Sequence, residues 1–377
     1  MKSPHKVALV AATAAAALAL AACGPPANNN QGATTTTGVK AGKATSAKDF
    51  GGMSGLVKAA KKEGQLNVIA LPPTWANYAN IIKTFSTKYG IKVNSAQPDA
   101  ASQDEINAAN QQKGKSSAPD VFDLGQSVAL ANTAMFAPYK VTGFDKVPTA
   151  FKDANGTWVN DYGGYMSIGY DSSKVPTVRK VSDLLGGQFK GKVTLNGDPT
   201  QAGAAFSGVV MVATANGGSA DDIAPGVAFF QKLKNAGNFL KLDPTPATIE
   251  SGQTPVVIDW DYLNAAETAK LKTWKVVVPS DAKPIAGYYF QAVNKDAPHP
   301  AAARLWEEFL YSSQGQNLWL AGGARPVLAD AMLKDGSIDK AKYDALPKVT
   351  GTPVITTDTQ NKKAADYLAK NWAKVVG

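Results

Sequence analysis

The sequence predicts an α/β protein built as two lobes, and three features carry that prediction. From Phe50 onward, apolar segments of strand length alternate with amphipathic segments of helical period, the rhythm of sheets covered by helices on both faces. The rhythm breaks at "TWVNDYGGYMSIGYDSS", a long extended run with no helix after it, which suits a crossing between lobes. The alternation then resumes, and roughly 330 residues after the N-terminal segments suffice for two lobes of ordinary size.

Each element follows from its local pattern. "SGLVKAAKKEG" is a short amphipathic helix closed by Gly64, and "QLNVIAL" is a buried strand ending in "PPTWANY". "NYANIIKTFSTKYG" sets Tyr78, Ile81, Ile82 and Phe85 on one helical face before Gly90. "IKVNSAQ" is a strand, "SQDEINAANQQKGKSSA" a polar helix, and "PDVFDLG" a strand whose end carries Asp120 and Asp123. Past the crossing run, "FKGKVTLNGDP" contains a strand, while "GAAFSGVVMVATANGG" and "APGVAFFQKLKNAG" are helices. "TPVVIDWDYLNAAETAKL" reads as strand then helix, "WKVVVPS" as a strand, and "IAGYYFQAV" as a strand crossing back. "PAAARLWEEFLYSSQGQNLWLAGG" is a helix pair with Leu305, Trp306, Phe309 and Leu310 inward.

The N-terminus carries Lys2 and Lys6 ahead of an apolar run, Val7 to Leu20, too short to span a bilayer as a mature helix; this is a secretory signal. Leu20-Ala21-Ala22-Cys23 resembles the lipobox of bacterial lipoproteins, which implies that Cys23, the single cysteine of the chain, becomes the lipidated N-terminus. The Asn-, Thr-, Gly- and Ala-rich stretch to Ser46 has almost no large apolar side chain and is expected to be a tether. The expected organisation is a signal at 1–22, a disordered tether at 23–48, and lobe 1 at 49–163 plus 285–345. Lobe 2 is expected at 164–284, with a C-terminal helical segment at 346–377.

Composition narrows the function. Of the two histidines, His5 leaves with the signal, and His299 sits at a Pro-flanked helix start where surface placement is expected. Zinc hydrolase and Ser-His-Asp chemistries therefore have little to work with, and no cofactor motif is present. The net charge of +9 is scattered lysine without arginine clusters, a solvated face rather than a nucleic-acid surface, with weak attraction to anionic lipid also open.

With "EGQLNVIALPPTWANYANIIKTFSTKYGIKVN", "APDVFDLGQS", "FKGKVTLNGDP", "ESGQTPVVIDWDYLNAA" and "APHPAAARLWEEFLYSSQGQ" in this order, the chain resembles the extracellular solute-binding proteins of bacterial ABC importers. The branch is that of ferric-iron, polyamine, thiamine and phosphonate binders. The resemblance implies a two-lobed type II periplasmic-binding fold, with a mixed sheet flanked by helices in each lobe and the solute in the cleft between them. It implies a monomeric receptor, not an enzyme, partnered by a permease with its ATPase and held at the cell membrane by its lipid.

In open α/β sheets ligands sit beyond the carboxyl ends of strands. That rule brings Trp75, Tyr78, Asp123, Asp198, Asp259, Trp260, Asp261, Tyr262, Tyr288 and Tyr289 toward one cleft. If "VIDWDY" is all strand, Asp259 and Asp261 share one face, a natural seat for an amine or a metal, with Trp260 and Tyr262 opposite. Alternatively Asp261 caps the following helix, or Asp259 pairs with a Lys or Arg. Trp75 is either a stacking surface for a cation or a plug between helix and sheet. Asp123 and Asp198 are ligands or helix caps, and "NGDPTQAGAAFSG" is a possible anion nest. An organic cation of polyamine type is the expected solute and ferric iron the alternative, since "DWDYLN" carries one tyrosine, Tyr262, where ferric binders carry adjacent ones.

Overall fold

The alternation becomes two lobes in the computed structural model, which describes residues 32–376; the signal segment and Cys23 lie outside the described residues. Helix α1 (Met53–Glu63), strand β1 (Gln65–Ile69), helix α2 (Tyr78–Tyr89), strand β2 (Lys92–Ala96), helix α3 (Ser102–Gln111) and strand β3 (Val121–Leu124) follow in order. β1 and β2 pair in parallel, and β3 joins beside β1 where the Asp120 N–H donates to the Asn67 carbonyl at 2.9 Å. Helix α4 (Gln126–Ala131) and strand β4 (Phe136–Ala137) complete this half. Tyr78, Ile81 and Phe85 are buried at helical spacing, so α2 is held by its packed face rather than by propensity.

Strand β5 (Val159–Asp171) is the crossing run, thirteen residues long. Lobe 2 then forms from β6 (Val193–Leu195), α5 (Gly203–Ala215), α6 (Ala224–Asn235), α7 (Pro246–Glu250), β7 (Val256–Trp260), α8 (Asp261–Glu267) and β8 (Trp274–Val277). Strand β9 (Ala286–Asn294) returns the chain to lobe 1, giving the order β3-β9-β5-β7-β6. β5 pairs with β9 up to Tyr165 and with β7 from Met166, so one strand belongs to both lobes. Glycine is required at the crossing: a Cβ on Gly164 would lie 2.2 Å from an Asp261 carboxylate oxygen, and one on Gly287 would lie 2.2 Å from the Trp260 ring.

Helices α9 (Pro300–Leu310) and α10 (Ser313–Ala321) pack back on lobe 1, followed by β10 (Arg325–Pro326), α11 (Ala329–Asp335), α12 (Lys340–Asp344) and α13 (Asp358–Val376). α13 packs on lobe 2, with Trp372 edge-on to Phe230 at 5.1 Å, while the Gln126 amide of α4 donates to the Thr356 carbonyl ahead of it.

Two expectations need correction. Residues 32–48, expected within the tether, fold onto lobe 1 through two short 3-10 turns that bury Ala41, Ala44 and Ala47. Composition hid this because the anchor lies elsewhere: Arg304, 1% exposed, donates to the carbonyls of Gly42, Ala44 and Pro300 at 2.7–3.0 Å. His299 is buried rather than at the surface, its Nδ1 2.9 Å from Asp120 and its Nε2 2.8 Å from the Gln65 amide. Asp120 thus joins the start of β3 to the start of α9.

Replacing Arg304 by Met keeps the apolar stem but takes the guanidinium donors from the Gly42 and Ala44 carbonyls of the arm. A loss of about 2–4 kcal/mol in unfolding free energy is expected, together with rapid tryptic cleavage at Lys40 and Lys43. Unchanged stability and an uncleaved arm would show that Arg304 does not hold it.

Candidate functional site between the lobes

The loop from β1 to α2 is held in an unusual backbone. Ala70, Ala76 and Asn77 all have positive φ (56, 43 and 71°), a region non-glycine residues enter at a cost. The Asn77 amide anchors this loop on the Leu318 carbonyl at 2.8 Å. The strained loop delivers Trp75 to the middle of the molecule. Its ring meets Tyr262 of lobe 2 edge-on at 6.0 Å and Tyr289 of β9 at 5.9 Å. Beneath them Tyr162 is sandwiched, parallel to Tyr289 at 5.3 Å and to Trp319 at 4.1 Å. Loop, crossing strands and lobe 2 therefore meet on one aromatic cluster.

Hydrogen bonds run from this cluster to a buried carboxylate. The Trp75 indole N–H donates to the Tyr162 hydroxyl at 2.8 Å, and that hydroxyl donates to Asp123 at 3.2 Å. Tyr78 also donates its hydroxyl to Asp123. Burial nevertheless pushes the Asp123 carboxyl up to about 7, against these donors, which favour the ionised form. Among the described residues no arginine or lysine pairs with it: its acidic neighbours are Glu105, Asp161 and Glu307, each raised by burial first and by Asp123 in turn. The second oxygen of Asp123, one oxygen of Asp161 and the Gln291 carbonyl oxygen have no hydrogen-bond partner among the described residues.

On the lobe 2 side the strand β7 stops at Trp260, and Asp261 is the first residue of α8. The two aspartates of "VIDWDY" therefore do not share a strand face. Asp259 accepts from the Asn196 amide at 2.8 Å and from the Trp260 N–H at 2.7 Å, and burial pushes it up to about 7. Asp261 accepts from the Tyr165 N–H at 2.9 Å and pairs with Arg325 at 3.3 Å. Arg325 also donates to the Pro347 carbonyl and lies over the Tyr165 ring at 5.0 Å. The Tyr262 hydroxyl and the Trp260 indole N–H are buried and have no hydrogen-bond partner among the described residues.

The structure thus brings Trp75, Tyr78, Asp123 and Tyr262 together, with Asp259 and Trp260 adjoining and Asp261 engaged by Arg325. Two expected residues stand apart. Asp198 is exposed and closes its own turn on Thr200 at 2.7–2.8 Å. Tyr288 points to the other face of β9, where it lines a cavity of about 90 Å3 with Phe151, Trp158 and Asn160. Sequence reasoning missed Tyr162 and Trp319, the centre of the stack; the "YGG" context of β5 and the amphipathic face of α10 were the available signals.

Two lobes joined by crossing strands, with an aromatic and acidic meeting surface between them, define a receptor that holds a solute. Residues 119–351, more than half of the chain, match the bacterial extracellular solute-binding protein family, and the chain belongs to it. Solved structures agree on the fold. The periplasmic binding protein AfuA from Actinobacillus pleuropneumoniae, with fructose-6-phosphate bound, is 16% identical over 83% of this chain and 98% of its own, with a TM-score of 0.62. The ferric binding protein from Campylobacter jejuni is 17% identical over 82% and 99%, TM-score 0.61. The spermidine/putrescine protein PotD from Streptococcus pneumoniae is 14% identical over 83% and 99%, TM-score 0.57. At such identities the likeness carries the fold and not the ligand. No curated protein matches.

Asp123 and Asp259, both held near 7, keep protons that the unfolded chain releases at ordinary carboxylate values of about 4. Between those values the folded state binds more protons, so stability falls as pH rises. The Tm of solute-free protein should decline from about pH 5 to about pH 8, and Asp123→Asn or Asp259→Asn should flatten the decline. A wild-type Tm that climbs across this window contradicts the assignment.

Proposed function

We propose that this chain is the membrane-anchored receptor of an ABC importer, lipidated at Cys23, and that its lobes close around a small organic cation of the polyamine type. The observation that carries the solute class is the charge of the meeting surface: aromatic rings backed by Asp123 and Asp259, with the arginine of this region, Arg325, already paired to Asp261. An ammonium group between Trp75, Tyr262 and Tyr289 gains roughly 0.5–2 kcal/mol from the ring faces. A charge-assisted bond to a carboxylate adds roughly 1.5–3 kcal/mol. The unpartnered Tyr262 hydroxyl is an acceptor that such a solute completes. An anionic sugar phosphate would meet the same carboxylates as repulsion. Ferric iron has less support: "DWDYLN" carries one tyrosine, Tyr262, where ferric binders carry adjacent ones.

A thermal-shift screen of amines, ferric salts, thiamine, phosphonates and sugar phosphates, followed by calorimetry on the hits, tests the solute class. Amines should stabilise, and Trp75→Ala and Asp259→Asn should each weaken binding about tenfold, near 1.4 kcal/mol. Stabilisation by phosphates with amines inert would overturn the cation reading.

The anchor has its own test. Cys23→Ser should abolish fatty-acid labelling in cells while leaving the Tm of the folded lobes unchanged; continued labelling would mean that Cys23 is not the attachment point.

A further inference from the structure

We infer that the end of lobe 1 farthest from the cleft is a docking face for anionic lipid headgroups, which sets the receptor's resting orientation on the membrane. The face assembles where the strands begin. Lys61 and Lys62 end α1, and Lys92 opens β2 with its N–H on the Gly64 carbonyl at 3.0 Å. The loop before β3 carries Lys113 and Lys115 and is held against β1 by the Asn67 amide on the Ser116 carbonyl at 2.8 Å. All five lysines are exposed. Complementing the α1 dipole accounts for Lys61 and Lys62 but for none of the others.

The carboxylates at this end are already engaged. Asp296 pairs with Lys113 at 3.1 Å, Asp120 is buried on His299, and Glu63 accepts the first N–H groups of α9 at 2.8–3.1 Å. Lys61, Lys62, Lys92 and Lys115 form no ion pair among the described residues.

A second observation points to a membrane as the partner. The described chain starts at this same end: a Cβ on Gly32 would lie 2.6 Å from the Pro300 ring, beside Glu63 and Gln65. Eight residues lie between Cys23 and Gly32, a reach of at most about 30 Å. On the lipidation reading above, the basic face is therefore the part of the molecule held nearest the bilayer. The C-terminal ends of β1 and β3, where the solute surface lies, then point into the medium. In this orientation the receptor collects solute, and delivery requires the face to lift from the lipid.

Each lysine near an anionic bilayer multiplies partitioning about fivefold. The test uses the chain from residue 24, which keeps every described residue and lacks the lipid. It should sediment with vesicles of phosphatidylcholine plus phosphatidylglycerol, not with phosphatidylcholine alone, and the binding should vanish at high salt. Replacing Lys61, Lys62, Lys92 and Lys115 by Gln should cut partitioning by more than about a hundredfold with Tm unchanged. The same four-charge change on α13, at Lys362, Lys363, Lys370 and Lys374, should leave it within about twofold. Equal losses in both variants, or a wild-type chain indifferent to anionic vesicles, would overturn the assignment. Fatty-acid labelling reads the anchor separately: an unlabelled Cys23 with intact vesicle binding defeats the anchor and not the face, and the converse defeats the face alone.

Discussion

The strand pairing of β5 is the constraint on which the site depends. Its first residues are registered on β9, Val159 opposite Gln291 and Tyr165 opposite Ala286, and its last on β7 and β8. One hydrogen-bond register therefore positions groups from both lobes. It sets Tyr162 under Trp75 and Tyr289, and it aims the Tyr165 N–H at Asp261. Both crossing strands carry glycine where they pass between the lobes, at Gly163, Gly164 and Gly287. A side chain at the last two would collide with Asp261 or Trp260, so the close approach of the lobes requires glycine there.

The interior beside the site is electrostatically unfinished. Asp123, Asp161, Glu105 and Glu307 are buried in one lobe, and Arg304, whose charge acts on Glu307, directs its donors to the N-terminal arm and to Pro300 of its own helix. Leaving carboxylates protonated is the least costly state for such a cluster. On the proposed function, a positive solute would offset that cost by stabilising the ionised form.

Much of the fold was legible because its signals are local. The buried face of α2, the glycines that end α1 and α2, and the helix-free crossing run each follow from neighbouring residues. What was hidden depends on distant partners. The arm at 32–48 looks disordered by composition and is ordered by Arg304, about 260 residues away. His299 looks exposed by its prolines and is buried by Asp120. Within the site, Tyr288 and Tyr289 were both expected in the cleft; adjacent residues of β9 face opposite ways, and only tertiary packing decides that Tyr289 meets Trp75 while Tyr288 does not. Asp261 turned on a single residue of strand length, since a helix starting one position later would have kept it beside Asp259.

Closure around a cation is most directly measured by the distance between spin labels on α3 and α6, recorded with and without a saturating polyamine. Free protein should show a longer or broader distribution, and the amine should shift it to one shorter distance, with Trp75→Ala blunting the shift. A distribution unmoved by amines, or narrowed by a phosphate in their place, would contradict the account.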